Sequence, residues 1–483
     1  MAQVFWTRSR TPRGGLILSA HEGLACILRR EWQHILRLPP SPPPQRRVHP
    51  LSFLRDSAGT LLFTAASVLL QFGSGVILAR VLLAEGRGLY GLLVLIPYSF
   101  QIVMNLGFGA AAMRQVAKIP TSSGKICANA LAVAVVSGGL TSLFLVMIHP
   151  FWVNFLGERV TTVEGGSLAL SLSLLAVPLI MFDQFAGSVL TGMHAVMATN
   201  LARFLQAFSF VALLPAAFTL VGKTVPAAMY AWVISFTLSD AAALIMVLQV
   251  KKGPFRPDWT LFKQALRFGL KVMPGGAAMY LLFRADLFLV KAFRPLDEVG
   301  VYVQATGLAF MYQLFGDSVE RAFLPRVFRK SQEDASELTP LVCRCYVLLM
   351  LPITAAAFVF AWPMIPLIFG EEFRGSTLPF LILIPGVLIG TPGYLCNTDL
   401  QSRGWPGYAS VTASGCLLVN ILLNLVMIPA WGILGAAVSS LFVYASYGVV
   451  LAWVYKRKTG TPLHRVFFPG PQDVRMVKAL FKK

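Results

Sequence analysis

The chain has 483 residues, 56% of them apolar and only 13% charged, with a formal net charge of +20. A soluble protein of this length carries about a quarter charged residues. Here the apolar residues gather into long blocks, which excludes a water-soluble globular protein and leaves no soluble domain on which the basic excess could bind nucleic acid.

The first fifty residues stand apart. Leu24, Leu28, Ile35 and Leu38 alternate with Arg29, Arg30 and Arg37 in the pattern of a short amphipathic helix lying on a membrane. Pro39 to Pro44 then stop any helix and lead into Gln45, Arg46 and Arg47 as a stiff linker. No continuous apolar core of signal-peptide type is present, so cleavage is not expected. The stretch is either a peripheral anchor or an extension without a role.

A bilayer core demands roughly 20 apolar residues per helix, because unpaired backbone groups cannot be hydrated there. About twelve blocks meet that length: 59–83, 89–113, 126–148, 168–190, 202–221, 225–249, 267–292, 299–324, 341–362, 376–397, 408–429 and 432–454. The connections, such as Ala84 to Gly88, are too short to hold a catalytic domain. With both termini cytoplasmic, most of the 41 lysines and arginines fall on the cytoplasmic side. The opposite side holds Arg87, Arg159, Lys223, Arg294 and Arg374, while Arg80, Arg284 and Lys291 lie within spans away from their cytoplasmic ends. The net charge is therefore a topology signal and an attraction to anionic headgroups. The six cysteines form no CxxC pair, and no HExxH, Walker or dinucleotide-glycine pattern occurs. No enzyme, metal or cofactor is implied.

Self-comparison at an offset of 212 residues aligns Arg55 with Arg267, Glu85 with Asp297, Gly88 with Gly300, Tyr90 with Tyr302, Gln101 with Gln313, Arg114 with Arg326 and Lys118 with Lys330. Later, "PFWVNFLGE" at 150–158 aligns with "PMIPLIFGE" at 363–371 after a one-residue slip. Polar and glycine matches at constant offset are far harder to obtain by chance than apolar ones. The chain thus divides into an extension (1–50), two six-helix lobes (51–257 and 258–460) and a basic tail (461–483). An even number of spans per repeat makes the lobes parallel about an axis along the membrane normal. The fold class is all-α, polytopic, two lobes around a central cavity, an architecture that suits alternating access.

The acidic-x-x-Gly-x-Tyr hairpin after the first span, within "LLAEGRGLYGLL", resembles the corresponding hairpin of polysaccharide flippases. "LLFRADLFLVKAF" followed by "LDEVGVY" resembles their seventh helix and its hairpin; "IPLIFGEEFRGS" (365–376) and "IPAWGILGAAVSS" (428–440) resemble two later loops. The resemblance covers nearly everything after residue 51. It implies the polysaccharide transporter branch, related to O-antigen flippases, of the multidrug/oligosaccharidyl-lipid/polysaccharide exporter superfamily. The function it implies is translocation of undecaprenyl-diphosphate-linked oligosaccharide across a bacterial inner membrane. It also implies the polysaccharide polymerase and glycosyltransferases as partners. Two alternatives stay open: a cation-coupled drug or metabolite antiporter of the same superfamily, and a non-transport scaffold for envelope assembly.

A charge at mid-bilayer costs about 2.5–3.5 kcal/mol on insertion scales, so intramembrane charges are the candidate site residues. On one continuous helix, Tyr280, Arg284 and Lys291 share a face with Phe288, and that cationic, aromatic face is the candidate diphosphate site. Arg80, near the outer end of the first span, is a candidate addition to it; permanent packing or snorkelling is the alternative for each. Asp286 points away and reads as structural. Asp183 and Asp240 are candidates for coupling to H⁺ or Na⁺. Asp317 and Arg321 are expected to form an i,i+4 pair beside Glu320. Pro274, Gly275 and Gly276 form a candidate hinge.

Overall fold

The computed structural model describes residues 50–157, 160, 165–327, 332–405 and 407–473. The amphipathic stretch at 24–38, its proline linker and the end of the basic tail lie outside these residues. Contacts divide the chain into Met1–Ser57, of which the opening turns of the first helix are the described part, and the compact unit Ala58–Lys483, which holds the rest of the helices.

The first lobe is built from α1 (Pro50–Met104), α2 (Phe108–Lys118), α3 (Ser123–Met147), α4 (His149–Leu156), α5 (Gly166–Leu175), α6 (Val177–Gly192), α7 (Val196–Leu220) and α8 (Val225–Val250). The second is built from α9 (Trp259–Leu282), α10 (Ala285–Phe293), α11 (Leu296–Val327), α12 (Gln332–Phe369), α13 (Thr377–Ser402), α14 (Gly407–Trp431) and α15 (Ile433–Thr459), with the single turn α16 (His464–Phe467) following. Among the described residues, nine helical segments are long and apolar enough to cross a bilayer. One of them, Phe63–Met104, covers 42 residues. At 1.5 Å per residue it would be about 63 Å long if straight, twice a bilayer core. It is two spans, divided at Leu83, whose backbone turns to φ 58°. The remaining two predicted spans coincide with α9–α10 and with α11, whose interior polar residues, among them Lys271, Arg284, Gln304 and Gln313, lower their mean hydropathy. The five-residue hairpin expected at Ala84–Gly88 is in fact a one-residue break.

Apolar side chains gain nothing from leaving lipid for one another, so close backbone approach at small residues holds such helices together. Gly386, Gly390 and Gly393 of α13 lie against α15, and a β-carbon on Gly393 or Gly448 would collide with the facing backbone. A buried ion pair fastens one end of this bundle. Asp399 accepts from Arg403 Nε at 2.7 Å, from Thr339 of α12 at 2.7 Å and from the Tyr455 hydroxyl of α15 at 2.8 Å.

The lobes meet in a reciprocal way. A β-carbon on Gly88 would strike the Leu296 carbonyl, and one on Gly300 would strike the Ala84 carbonyl. Each pair maps onto the other under the 212-residue offset, as a two-fold relation between repeats requires. Gly91 faces Val303, again its own counterpart. Ala84 opens the second half of α1 with no intrahelical acceptor for its N–H, and Glu372 of the other lobe accepts it at 2.9 Å.

Candidate functional site

Two adjoining cavities lie where the lobes face each other, and Asp183 of α6 and Arg203 of α7 line both. The smaller, about 210 Å³, takes Thr64, Ser67 and Gln71 from α1, Asn200 and Gln206 from α7, and Arg321 from α11 of the second lobe. The larger, about 520 Å³, adds Asn105, Gln184, Ser188 and Thr191 from the first lobe and Val272, Met273 and Gly276 from α9. Both are lined by polar stripes on otherwise apolar helices: Asn200, Arg203 and Gln206 at i, i+3, i+6, and Thr64, Ser67 and Gln71 at i, i+3, i+7. These spacings put each set on one helix face.

Arg203 acts electrostatically on Asp183 without the two closing to an ion pair. Asp240 of α8 is 5% exposed, and neither of its carboxylate oxygens has a hydrogen-bond partner. Its electrostatic neighbour is Asp183, and Tyr98 stands near both acids. The candidate coupling residues are therefore brought together in one place. Arg321 is not paired with Asp317 through its side chain, as the spacing predicts; its Nε donates to the Asp317 main-chain carbonyl at 3.3 Å. Asp317 lines a narrow cleft in the second lobe with Tyr394, Tyr444 and Tyr447. Its first-lobe counterpart at the 212 offset, Asn105, lines the larger cavity.

The cationic face expected on the seventh span does not form as one surface. The helix breaks at Phe283 and Arg284, where Arg284 takes φ −137°, so Tyr280 belongs to α9 while Phe288 and Lys291 belong to α10. Arg284 is half-buried with its guanidinium 5.2 Å from the Phe310 ring centroid, and lines neither cavity. Lys291 is half-buried on α10 and also lies outside both. Arg80 lines neither cavity. It donates to the carbonyls of Leu367 and Ile368, capping the last turn of α12 across the lobe boundary. Asp286 is fully buried. It accepts from the Leu287 N–H at 2.9 Å, the Tyr302 hydroxyl at 2.7 Å and Ser440 at 3.2 Å, so it caps α10 and ties it to α11 and α15. The candidate hinge lies inside an unbroken α9. Gly275 makes room for Ser410 of α14, whereas Gly276 faces the larger cavity. Arg203 stands at the edge of the 202–221 block, where a basic residue reads as a topology charge. The i, i+3, i+6 polar stripe around it is the signal that identifies it.

A multi-pass, two-lobed helical membrane protein with a polar cavity between its lobes belongs to the transporter class. A family profile described as "Polysaccharide biosynthesis protein" matches residues 53–330, and the chain belongs to that family. A Haloferax volcanii protein named as the low-salt glycan biosynthesis flippase Agl15 is 23% identical over 383 residues, 78% of each chain. A Shigella flexneri protein named as an O-antigen transporter is 22% identical over 423 residues, covering 84% of this chain and 98% of that one. The lipid II flippase MurJ in an inward closed conformation superposes with a TM-score of 0.65 at 14% identity, over 84% of this chain and 89% of the other. An inward-facing multidrug resistance MATE transporter of the MOP superfamily superposes with a TM-score of 0.64 at 14% identity, over 80% and 94%. At that identity the two structures speak for the fold alone.

Proposed function

We propose that the chain is a flippase for lipid-linked oligosaccharide, working by alternating access in the cytoplasmic membrane with both termini cytoplasmic. The observation that carries the reading is the polar cavity into which the two lobes each bring an arginine, Arg203 and Arg321. A diphosphate crossing a low-dielectric interior needs its charge balanced, and guanidinium forks match phosphate oxygens in pairs. Because the two arginines belong to different lobes, a bound diphosphate bridges the elements whose relative movement would open one side or the other. The hydroxyl and amide stripes on α1 and α7 suit a sugar headgroup. Both named relatives handle glycan, and the basic distribution supports the orientation.

Asp240 and Asp183 carry the coupling part of the reading. A nearly buried carboxyl without hydrogen bonds needs its charge balanced by a proton or a Na⁺ ion. The polymerase and glycosyltransferases that make and use the cargo are the partners this function implies. The same pair of acids also favours a second reading, a cation-coupled antiporter for cationic compounds. The two readings separate in one experiment, the leaflet distribution of lipid-linked oligosaccharide in cells with and without the protein. Cytoplasmic build-up in the deletion, corrected by wild type but not by Arg203→Ala, supports the flippase. An unchanged distribution with altered export of a cationic dye supports the antiporter.

A further inference from the structure

We propose that a groove on the outside of α3 is a binding site for an anionic phospholipid of the bilayer, one acyl chain lying in the groove and the phosphate held by Lys263 at its mouth. The groove encloses about 690 Å³. Val133, Val136, Leu140 and Phe144 of α3 form one wall, and Phe262 and Leu266 of α9 form the other. Val136 and Leu140 are 61% and 63% exposed, so they face lipid. From Asn129 to Phe144 the groove follows α3 for about 22 Å, more than the ~15 Å of one leaflet's hydrocarbon. That is the reach of a single extended acyl chain.

Its mouth is polar and basic. Asn129 holds the backbone of Asp258 through two hydrogen bonds of 2.9 Å, and Lys125 holds the Asp258 carboxylate at 2.8 Å. The other carboxylate oxygen caps the first turn of α9. Lys125 is thereby neutralised and the helix N-terminus already satisfied. Lys263 remains without a carboxylate partner among the described residues. Its Nζ sits 5.3 Å from the ring centroid of Trp259, which is 66% exposed and stacks on Phe262 at 4.9 Å. A lysine over an exposed tryptophan beside an apolar slot is the arrangement expected at a lipid headgroup.

The occupant is a bilayer phospholipid rather than the transported lipid, because the groove opens on the lipid-facing side of α3 and a close backbone contact stands between it and the central cavity. Leu106 and Phe108 line the groove and Asn105 and Gly107 line the cavity, and between them Gly107 packs backbone against backbone with Gly269 of α9. The assignment is independent of the flippase reading.

The test is native mass spectrometry of the full-length protein, titrated with phosphatidylglycerol and with phosphatidylcholine of the same chains. The expected result is preferential retention of phosphatidylglycerol. It falls about fivefold in Lys263→Ala, and retention of either lipid falls in Leu140→Trp, which fills the slot. Because Leu140 faces lipid, the Trp variant is expected to stay monodisperse; should it not, Lys263→Ala decides alone. Equal retention of the two lipids, or no change in Lys263→Ala, overturns the site. Displacement of phosphatidylglycerol by a polyprenyl diphosphate in wild type overturns the choice of occupant and makes the groove the cargo's own.

Discussion

Arg203 has no strong partner to lose, which makes it a clean residue to test. It is exposed to the cavity and closes no ion pair with Asp183. Arg203→Ala is expected to reduce flipping at least tenfold with expression and thermal stability unchanged, and Arg203→Lys to restore it only in part, because an ammonium cannot form the paired contacts of a guanidinium. Arg284→Ala is expected to act differently: it removes the guanidinium packed over Phe310 at the α9–α10 break, lowering stability and transport together. Asp258 supplies a pH test outside the membrane. Its carboxyl is held below the usual carboxylate range by the hydrogen bond from Lys125, then by the N–H groups of Leu261 and Thr260. A depressed acid stabilises the fold above its unfolded value of about 3.9 and loses that contribution as pH falls through the lower folded value. The melting temperature should therefore fall more steeply with acid in wild type below pH 4 than in Asp258→Ala, which starts lower and has less to lose.

Helix packing gives the next prediction. Gly448 lies against Gly390 and Gly393 so closely that any β-carbon must displace backbone, so Gly448→Val should abolish or severely reduce the folded yield. Gly139→Ala, where a β-carbon meets nothing within 4 Å, should be tolerated and serves as the control. The Asp399–Arg403 pair is buried on both sides, with side-chain exposures of 0% and 7%. Removing the carboxylate takes away the buried acceptor shared by Arg403, Thr339 and Tyr455, so Asp399→Ala should cost about 3–5 kcal/mol, and adding Arg403→Met in the same chain should recover part of it. Unfolding monitored by tryptophan fluorescence reads both.

Across the whole molecule, the Gly91–Val303 contact offers a direct test of alternating access. A β-carbon on Gly91 would lie 3.5 Å from that of Val303, at the short end of the disulfide range. Gly91→Cys with Val303→Cys, in a background without the other cysteines, should cross-link on oxidation and stop transport, with activity returning on reduction. Full activity in the cross-linked protein would mean that the lobes need not part at this face. Arg80 and Glu372 hold the same face together, so Arg80→Ala and Glu372→Gln should loosen it and speed labelling of a cysteine placed at Gly91.

The amino-acid sequence by itself determined the class of protein. Apolar blocks of bilayer length, lysine and arginine concentrated between and at the ends of those blocks, and polar matches at a fixed offset arise from local composition, and they lead to a two-lobed transporter without reference to any contact. It also marked Asp183 and Asp240, because a carboxylate inside an apolar block is anomalous wherever it ends up pointing. Only the tertiary structure decided which cations face the cavity. Arg284 looked central on an ideal continuous helix, but one break at Phe283–Arg284 re-aims every side chain beyond it. Arg80 looked like part of the same face until the second lobe supplied carbonyls for it to cap. Arg203 became a cavity residue through the packing of α6, α7 and α1, since the direction a charge faces depends on neighbours far away in the chain.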